Sequence, residues 1–211
     1  HTGLITGAAY QQRRVWSGGV KRLSIKVPPR SAKSICGTIA CTAWMRGHDP
    51  RKRIMAISYA QELSLTHAAG FRSVVTSDWY RRAFPDFAIK ANRGQEIRTT
   101  EHGYRYASSI GGSVLGRGAD LIVIDDPING LEAALSAAAR RRVQAFYDGT
   151  LYSRLNDRQN GAIVLVMQRL HEDDLVGHVL EKEDWEVLSI PAIAPDDCFY
   201  RIGQGRAALY R

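Results

Sequence analysis

Apolar runs of strand length that alternate with segments of helical period predict an α/β fold, a mostly parallel central sheet flanked by helices. Two further observations support it. The strand-like runs stop abruptly in charged or Pro-rich loops, where ligands of open α/β sheets bind. The 211-residue chain is also 45% hydrophobic and 24% charged, which suits a packed core and excludes a disordered tail.

Each element follows from its own pattern. Arg22 to Val27 (R-L-S-I-K-V) alternates apolar and polar residues and ends at Pro28-Pro29, which cannot continue a ladder, so a strand enters a loop there. Lys33 to Met45 repeats Ile35, Ile39 and Ala43 at helical spacing, with Gly47 following. Arg53 to Ser58 predicts a second strand, and Leu63, Leu65 and Ala69 a helix after it. Gln95 to Thr99 and Tyr104 to Ser108 flank Glu101-His102-Gly103, a hairpin signal in which the glycine supplies the positive φ. Gly111 to Gly118 is a glycine-rich loop, and Ala119 to Ile124 a buried-type strand ending in Asp125-Asp126-Pro127. An Ala-rich helix is expected over Leu131 to Tyr147, then a strand Ala162 to Met167, a helix Asp173 to Leu180 and a strand Trp185 to Ile190. Residues 1–190 are expected to form one domain. Residues 191–211, rich in Pro, Gly and charge, are expected to be a linker.

Charge is unevenly spread. The chain carries a formal +8, yet residues 1–60 hold eleven Lys/Arg against Asp49 alone, while residues 61–211 hold 18 against 20 acids. Such a basic segment suits a polyanion, either nucleic acid or the phosphates of a nucleotide; a solvated face is the plainer alternative. The longest apolar run, Ala162 to Met167, is far short of the ~20 residues of a membrane span. Cys36, Cys41 and Cys198 form no C-x-x-C pair, which argues against a disulfide framework or zinc site and suits a reducing compartment. The start at His1, without an initiator Met, is expected of a domain taken from a longer protein.

Three loops after strands carry chemistry. In Pro28-Pro29-Arg30-Ser31-Ala32-Lys33-Ser34, Lys33 is placed to reach β/γ-phosphate oxygens and Ser34 to put its hydroxyl on Mg²⁺. The glycine pattern of such loops is not met, because Val27 and Ala32 stand at its glycine positions; the alternative is a helix N-terminus entered through a Pro-rich turn. Asp125 and Asp126, two adjacent carboxylates at the end of an apolar strand, are costly unless paired, and a hydrated Mg²⁺ is a natural partner. Asp125 would orient the metal and Asp126 the attacking water, although an acidic turn capping the next helix has the same pattern. Gln168-Arg169 after the third strand could sense a γ-phosphate. The order of these elements is that of an additional-strand, RecA-like, three-layer P-loop NTPase.

The segments V-P-P-R-S-A-K-S, G-R-G-A-D-L-I-V-I-D-D-P, L-Y-S-R-L-N and M-Q-R-L-H-E-D-D-L-V-G-H-V-L resemble, in order and over nearly the whole chain, the N-terminal ATPase domain of the large terminase subunit of tailed bacteriophages. The resemblance implies an ATP- and Mg²⁺-dependent motor that drives double-stranded DNA into a procapsid. It further implies a homo-oligomeric ring, a portal protein and small terminase subunit as partners, and the host cell cytoplasm as location, with no membrane. It places Pro29, Arg30, Ser31, Ala32, Lys33, Ser34 and Gln168 at the nucleotide, Ser34 and Asp125 at the metal, and Asp126 and Arg30 in catalysis. Arg117 matches an arginine that some terminases insert into a neighbour's site. The nuclease domain that follows in the family is not expected in this fragment. The family loop reads P-P-R-H-G-K-S, so Ser31 and Ala32 depart from it; a positive φ at Ala32 would weaken nucleotide binding. The alternatives are a nucleotide-binding assembly module with little hydrolysis and another nucleic-acid-dependent ATPase such as a helicase core, which normally needs a second lobe.

Four other patterns have plainer structural readings. His171-Glu172-Asp173-Asp174 fits helix capping better than a metal cluster. Trp79, Tyr80 and Phe84 fit a short helix packed on the core, and Arg140-Arg141-Arg142 a solvated helix face. Cys36 and Cys41 fit small core residues.

Overall fold

The computed structural model describes residues 2–190, 199–202 and 205–208. In chain order, helix α1 (Thr2–Trp16) precedes strand β1 (Arg22–Lys26), a wide π-helical turn Ile35–Ala40 and its continuation α2 (Cys41–His48). Strand β2 (Arg53–Ser58), helices α3 (Gln61–Val75) and α4 (Asp78–Ala83), and strands β3 (Ile89–Asn92), β4 (Glu96–Thr99), β5 (Tyr104–Ser109) and β6 (Leu121–Asp125) follow. Then come α5 (Gly130–Leu135), α6 (Ala137–Phe146), β7 (Ala162–Met167), α7 (Leu175–Leu180) and β8 (Glu186–Ser189).

These strands form one eight-stranded sheet in the order β3-β4-β5-β2-β6-β7-β1-β8. The pairs from β5 across to β8 are parallel, and only the β3-β4-β5 edge is antiparallel. Strand β7 lies between β1, which enters the Pro28-to-Ser34 loop, and β6, which ends in the acid pair. That interposed strand is the arrangement of the additional-strand P-loop NTPase fold, as the element order predicts.

Strand alternation divides the core between two faces. Ile122 and Ile124 of β6 pack with Val143, Tyr147 and Val176 on one side, and Leu121 and Val123 with Ala8, Val15 and Met45 on the other. Helices therefore cover both faces and complete three layers. A third cluster of Phe71, Tyr80, Phe87 and Ile97 supports the antiparallel edge, and Tyr80 lies in it on the short helix expected there.

Several expectations are corrected. The single helix over 131–147 is two helices broken at Ser136, whose ψ of 112 leaves the helical region and whose side chain accepts a hydrogen bond from Ala139 N. The positive φ of the hairpin falls on His102 (64), not on Gly103. Gly103 is required for another reason: a Cβ there would lie 2.1 Å from Pro50 O. In the expected linker, β9 (Phe199–Ile202) and β10 (Gly205–Ala208) pair antiparallel; the rest of 191–211, Cys198 included, lies outside the described residues. Among the described residues, no helix is long and apolar enough to cross a membrane.

Candidate functional site

Parallel pairing puts the C-terminal strand ends level with one another. Ser58 is opposite Asp125, Asp125 opposite Val166, and Lys26 opposite Met167, so the loops after β1, β2, β6 and β7 emerge side by side. They line a cleft of about 270 Å³ that includes Pro29, Arg30, Lys33, Asp126 and Gln168. Lys33 and Gln168, 135 positions apart in sequence, thus share one wall because β7 is interposed.

The Pro-rich loop is held by a hydrogen bond from the Ser31 hydroxyl to Pro28 O at 2.7 Å. Arg30 and Ala32 both adopt left-handed backbone, with φ of 58 and 57. The family's glycine position is therefore one that demands positive φ, and Ala32 meets it with a Cβ, at a cost of roughly 1–2 kcal/mol. The Ala32 methyl is exposed, so the cost is one of backbone strain rather than of crowding.

Asp125 and Asp126 are adjacent in sequence but differ in environment. Asp125 is fully buried; its Oδ2 accepts the Thr38 hydroxyl at 2.7 Å, and the Ser34 hydroxyl also bonds to it. Burial pushes its carboxyl up to about 6, the charge of Asp126 adds to this, and the hydroxyls oppose it. Its Oδ1 is buried without a hydrogen-bond partner, an orphaned acceptor. Asp126 is 31% exposed in its side chain and has a φ of 44; its N–H donates to Val166 O at 2.9 Å, and its carbonyl accepts from Tyr59 N at 3.1 Å. Backbone bonds to two neighbouring strands thus force the strained conformation that turns this carboxylate into the cleft. There it accepts a hydrogen bond from Lys33 Nζ at 2.6 Å.

The orphaned Asp125 oxygen and the Ser34 hydroxyl fit a Mg²⁺ ion that takes its remaining ligands from water and phosphate oxygens. Among the described residues there is no group of three or more His, Cys, Asp or Glu able to hold a metal alone. The His171-to-Asp174 run is a helix cap: Asp174 accepts from Gly177 N at 3.1 Å and pairs with Arg169 Nε at 2.7 Å. That pairing ties Arg169 to the cap of the following helix while Gln168 lines the cleft.

Arg117 is not with the others. It lies near the opposite end of the sheet, paired with Glu96 at 3.3 Å and stacked 4.0 Å over the Tyr106 ring, and takes no part in the cleft of its own chain. Two residues not singled out from sequence belong behind the site. Thr38 holds Asp125, and His67 lies 3.6 Å from the same oxygen, its imidazole pushed down by burial and by nearby Arg105. A cue for Thr38 existed: it follows Ser34 by four residues, about one helical turn, and so shares its face. The expected core cysteines divide, Cys41 being buried with its thiol pushed up to about 12, and Cys36 half-buried.

Fold and cleft together define a three-layer α/β domain with the additional-strand P-loop NTPase fold, in which the Pro28-to-Ser34 loop, the acid pair and the interposed strand converge on one edge. No family model and no curated protein matches the sequence. Among solved structures, the HK97 bacteriophage large terminase matches with a TM-score of 0.58 at 14% identity, over 84% of this chain and 36% of that one. A large terminase from a thermophilic bacteriophage, in complex with ADP, aligns with a TM-score of 0.49 at 11% identity, over 85% of this chain and 44% of that one. The chain therefore spans less than half the length of either terminase. The fold is shared with part of the HK97 bacteriophage large terminase.

Proposed function

We propose that the chain binds Mg²⁺–ATP in the cleft at the C-terminal edge of the sheet and hydrolyses it to move double-stranded DNA into a phage procapsid. The observation that carries this reading is the Lys33–Asp126 contact at 2.6 Å, which joins the residues assigned to phosphate binding and to water activation across 93 positions of sequence. Incoming phosphates would draw Lys33 Nζ away from Asp126. The freed, part-exposed carboxylate would then orient a water for in-line attack, while Arg30 and Lys33 neutralise charge on the phosphate oxygens. Ser34 and Asp125 would hold Mg²⁺, which supplies further charge neutralisation when bound. Gln168, just after the strand between, lines the cleft and would touch the γ-phosphate and pass its loss to β1 and β6.

On this reading the chain works in the host cytoplasm as part of a homo-oligomeric ring, with a portal protein and a small terminase subunit as partners. A second reading has a specific support of its own. The φ of 57 at Ala32 favours a loop that binds nucleotide weakly and turns over little, a nucleotide-dependent assembly module. Steady-state phosphate release with and without duplex DNA, in the parent and Lys33→Ala, separates the two. Turnover stimulated by DNA and abolished by the substitution supports the motor, and ADP binding without turnover supports the module.

A further inference from the structure

The N-terminal edge of the sheet carries charge that the nucleotide site does not use. A cleft of about 550 Å³ opens there between the start of β2, the β4-β5 hairpin and the loop before β6, lined among others by Arg53, Arg98, His102, Tyr104 and Arg117. Two of its guanidiniums are pre-oriented. Arg98 lies over the Tyr104 ring at 5.6 Å and bonds Glu96 Oε1 at 2.7 Å, and Arg117 stacks on Tyr106 and bonds the other Glu96 oxygen. One carboxylate thus serves two guanidiniums, and Arg53 adds a third.

Asp120 is nearby, but both its oxygens are engaged in holding loops. Oδ2 accepts from Arg53 N at 2.9 Å and Oδ1 from Asn156 Nδ2 at 2.7 Å. Asn156 in turn lies against Gly118, where a Cβ would stand 1.9 Å from Asn156 Oδ1, so the glycine permits the close approach that fixes this wall. Among the described residues, no carboxylate is in ion-pair range of the Arg53 or Lys52 side chain. Lys52 instead lies 5.7 Å over Trp16, and Lys21 donates to Asn160 O.

These cations follow the sheet edge. Arg98 is on β4, Lys52 and Arg53 at the start of β2, Arg117 before β6 and Lys21 before β1. Five interstrand steps from β4 to β1 make a ridge ~24 Å long, which matches ~7 base pairs of duplex axis. A single anion would need one focused pocket; a line of forked and point cations at strand spacing fits a linear polyanion. We infer that this edge is a second binding site of the chain, which takes the phosphodiester backbone of a nucleic acid. It deepens the motor reading and rests on it for the choice of duplex DNA as ligand. The site stands one strand length away from the nucleotide cleft, so the same five- or six-residue strands link the two.

The test is anisotropy of a labelled random-sequence duplex of ~30 base pairs against the full chain, titrated with salt, for the parent and the double variant Lys52→Gln/Arg53→Gln. Each lost phosphate contact should weaken binding about five-fold near 0.15 M salt and lower the salt slope by ~0.9. The charge-preserving Lys52→Arg/Arg53→Lys variant should bind as the parent does, and affinity for a fluorescent ATP analogue should be unchanged in both, which shows that the fold is intact. Unaltered affinity and slope in the Gln variant would overturn the inference. So would displacement of the duplex by poly-glutamate at equal charge, which would assign the edge to an acidic protein surface. A parent without ATP turnover but with binding lost in the Gln variant would sink the motor reading and leave this site standing; turnover with unaltered DNA binding would do the reverse.

Discussion

The two edges of the central sheet solve opposite electrostatic problems. At the C-terminal edge, two carboxylates meet at the end of an apolar strand; the inner one is buried beyond the reach of water and the outer one is neutralised by Lys33. At the N-terminal edge, guanidiniums outnumber carboxylates and stay partly exposed on aromatic faces. On the proposed reading, the first arrangement is completed by a polyphosphate and its cation, and the second by an extended anion lying across it. The difference also divides seven of the eleven basic residues of the segment 1–60. Arg14, Arg22 and Arg51 are spent on Glu186, Glu183 and Asp49, Lys33 belongs to the cleft, and Lys21, Lys52 and Arg53 remain on the far edge.

Substitutions can separate the two edges. Lys33→Ala should have the largest effect, reducing ATP turnover by about 100-fold or more while leaving duplex affinity at the far edge unchanged, as measured by phosphate release and anisotropy on the same sample. Loss of both together would show that the edges are one site.

Asp125→Asn should abolish Mg²⁺-dependent turnover yet stabilise the nucleotide-free chain at pH 7, on the order of 3 kcal/mol. The sign follows from the carboxyl pushed up to about 6, above its ordinary 3.8. The folded chain holds a proton that the unfolded chain has released, so this stability is fully present below about pH 4 and is lost as pH rises through about 6. Urea denaturation of parent and variant across that range should show the two curves meeting at low pH. A constant offset would mean that burial of the charge is not the cause.

Gly103→Ala strikes the other edge. Its new Cβ would overlap Pro50 O and should cost about 2 kcal/mol, lowering duplex affinity more than nucleotide affinity. Ala32→Gly should give the smallest change, a gain of about 1 kcal/mol in stability or nucleotide affinity from relief of the left-handed strain, read by calorimetric titration with ADP. No gain would remove the argument for the weakly hydrolysing module.

What the sequence makes legible is set by how burial is encoded. Strands β2 and β7 are found at their observed limits and β6 within two residues, because strands covered on both faces must be continuously apolar or nearly so, while β1 is found within one residue by its alternation and the Pro28-Pro29 stop. Helix α1 leaves no such trace. Its buried face includes Gln11 and Gln12 beside Ala8 and Val15, so polar residues interrupt the apolar stripe, and Gly3 and Gly7 lower its propensity. Strand β3 is half-exposed throughout and carries little pattern. At the cleft, Lys33, Ser34, Asp125, Asp126 and Gln168 are legible because each follows a recognisable strand. Thr38 and His67 are not, since their role arises from two helices crossing behind β6. The far edge is also hidden, because its cations come from four separate loops and strands whose adjacency is a property of strand order.

Strand order has a consequence for how the chain is made. Both partners of β1, the strands β7 and β8, lie beyond residue 160, whereas β2, β5 and β6 can pair as soon as Asp125 has left the ribosome. At ~5–20 residues per second, β1 waits roughly 7–27 s after its own synthesis before β7 can join it to the growing sheet. A nascent chain stopped short of Ala162 would thus carry a paired acid-bearing half and an unpaired β1. The cleft between Lys33 and Gln168 is among the last features of the domain to form.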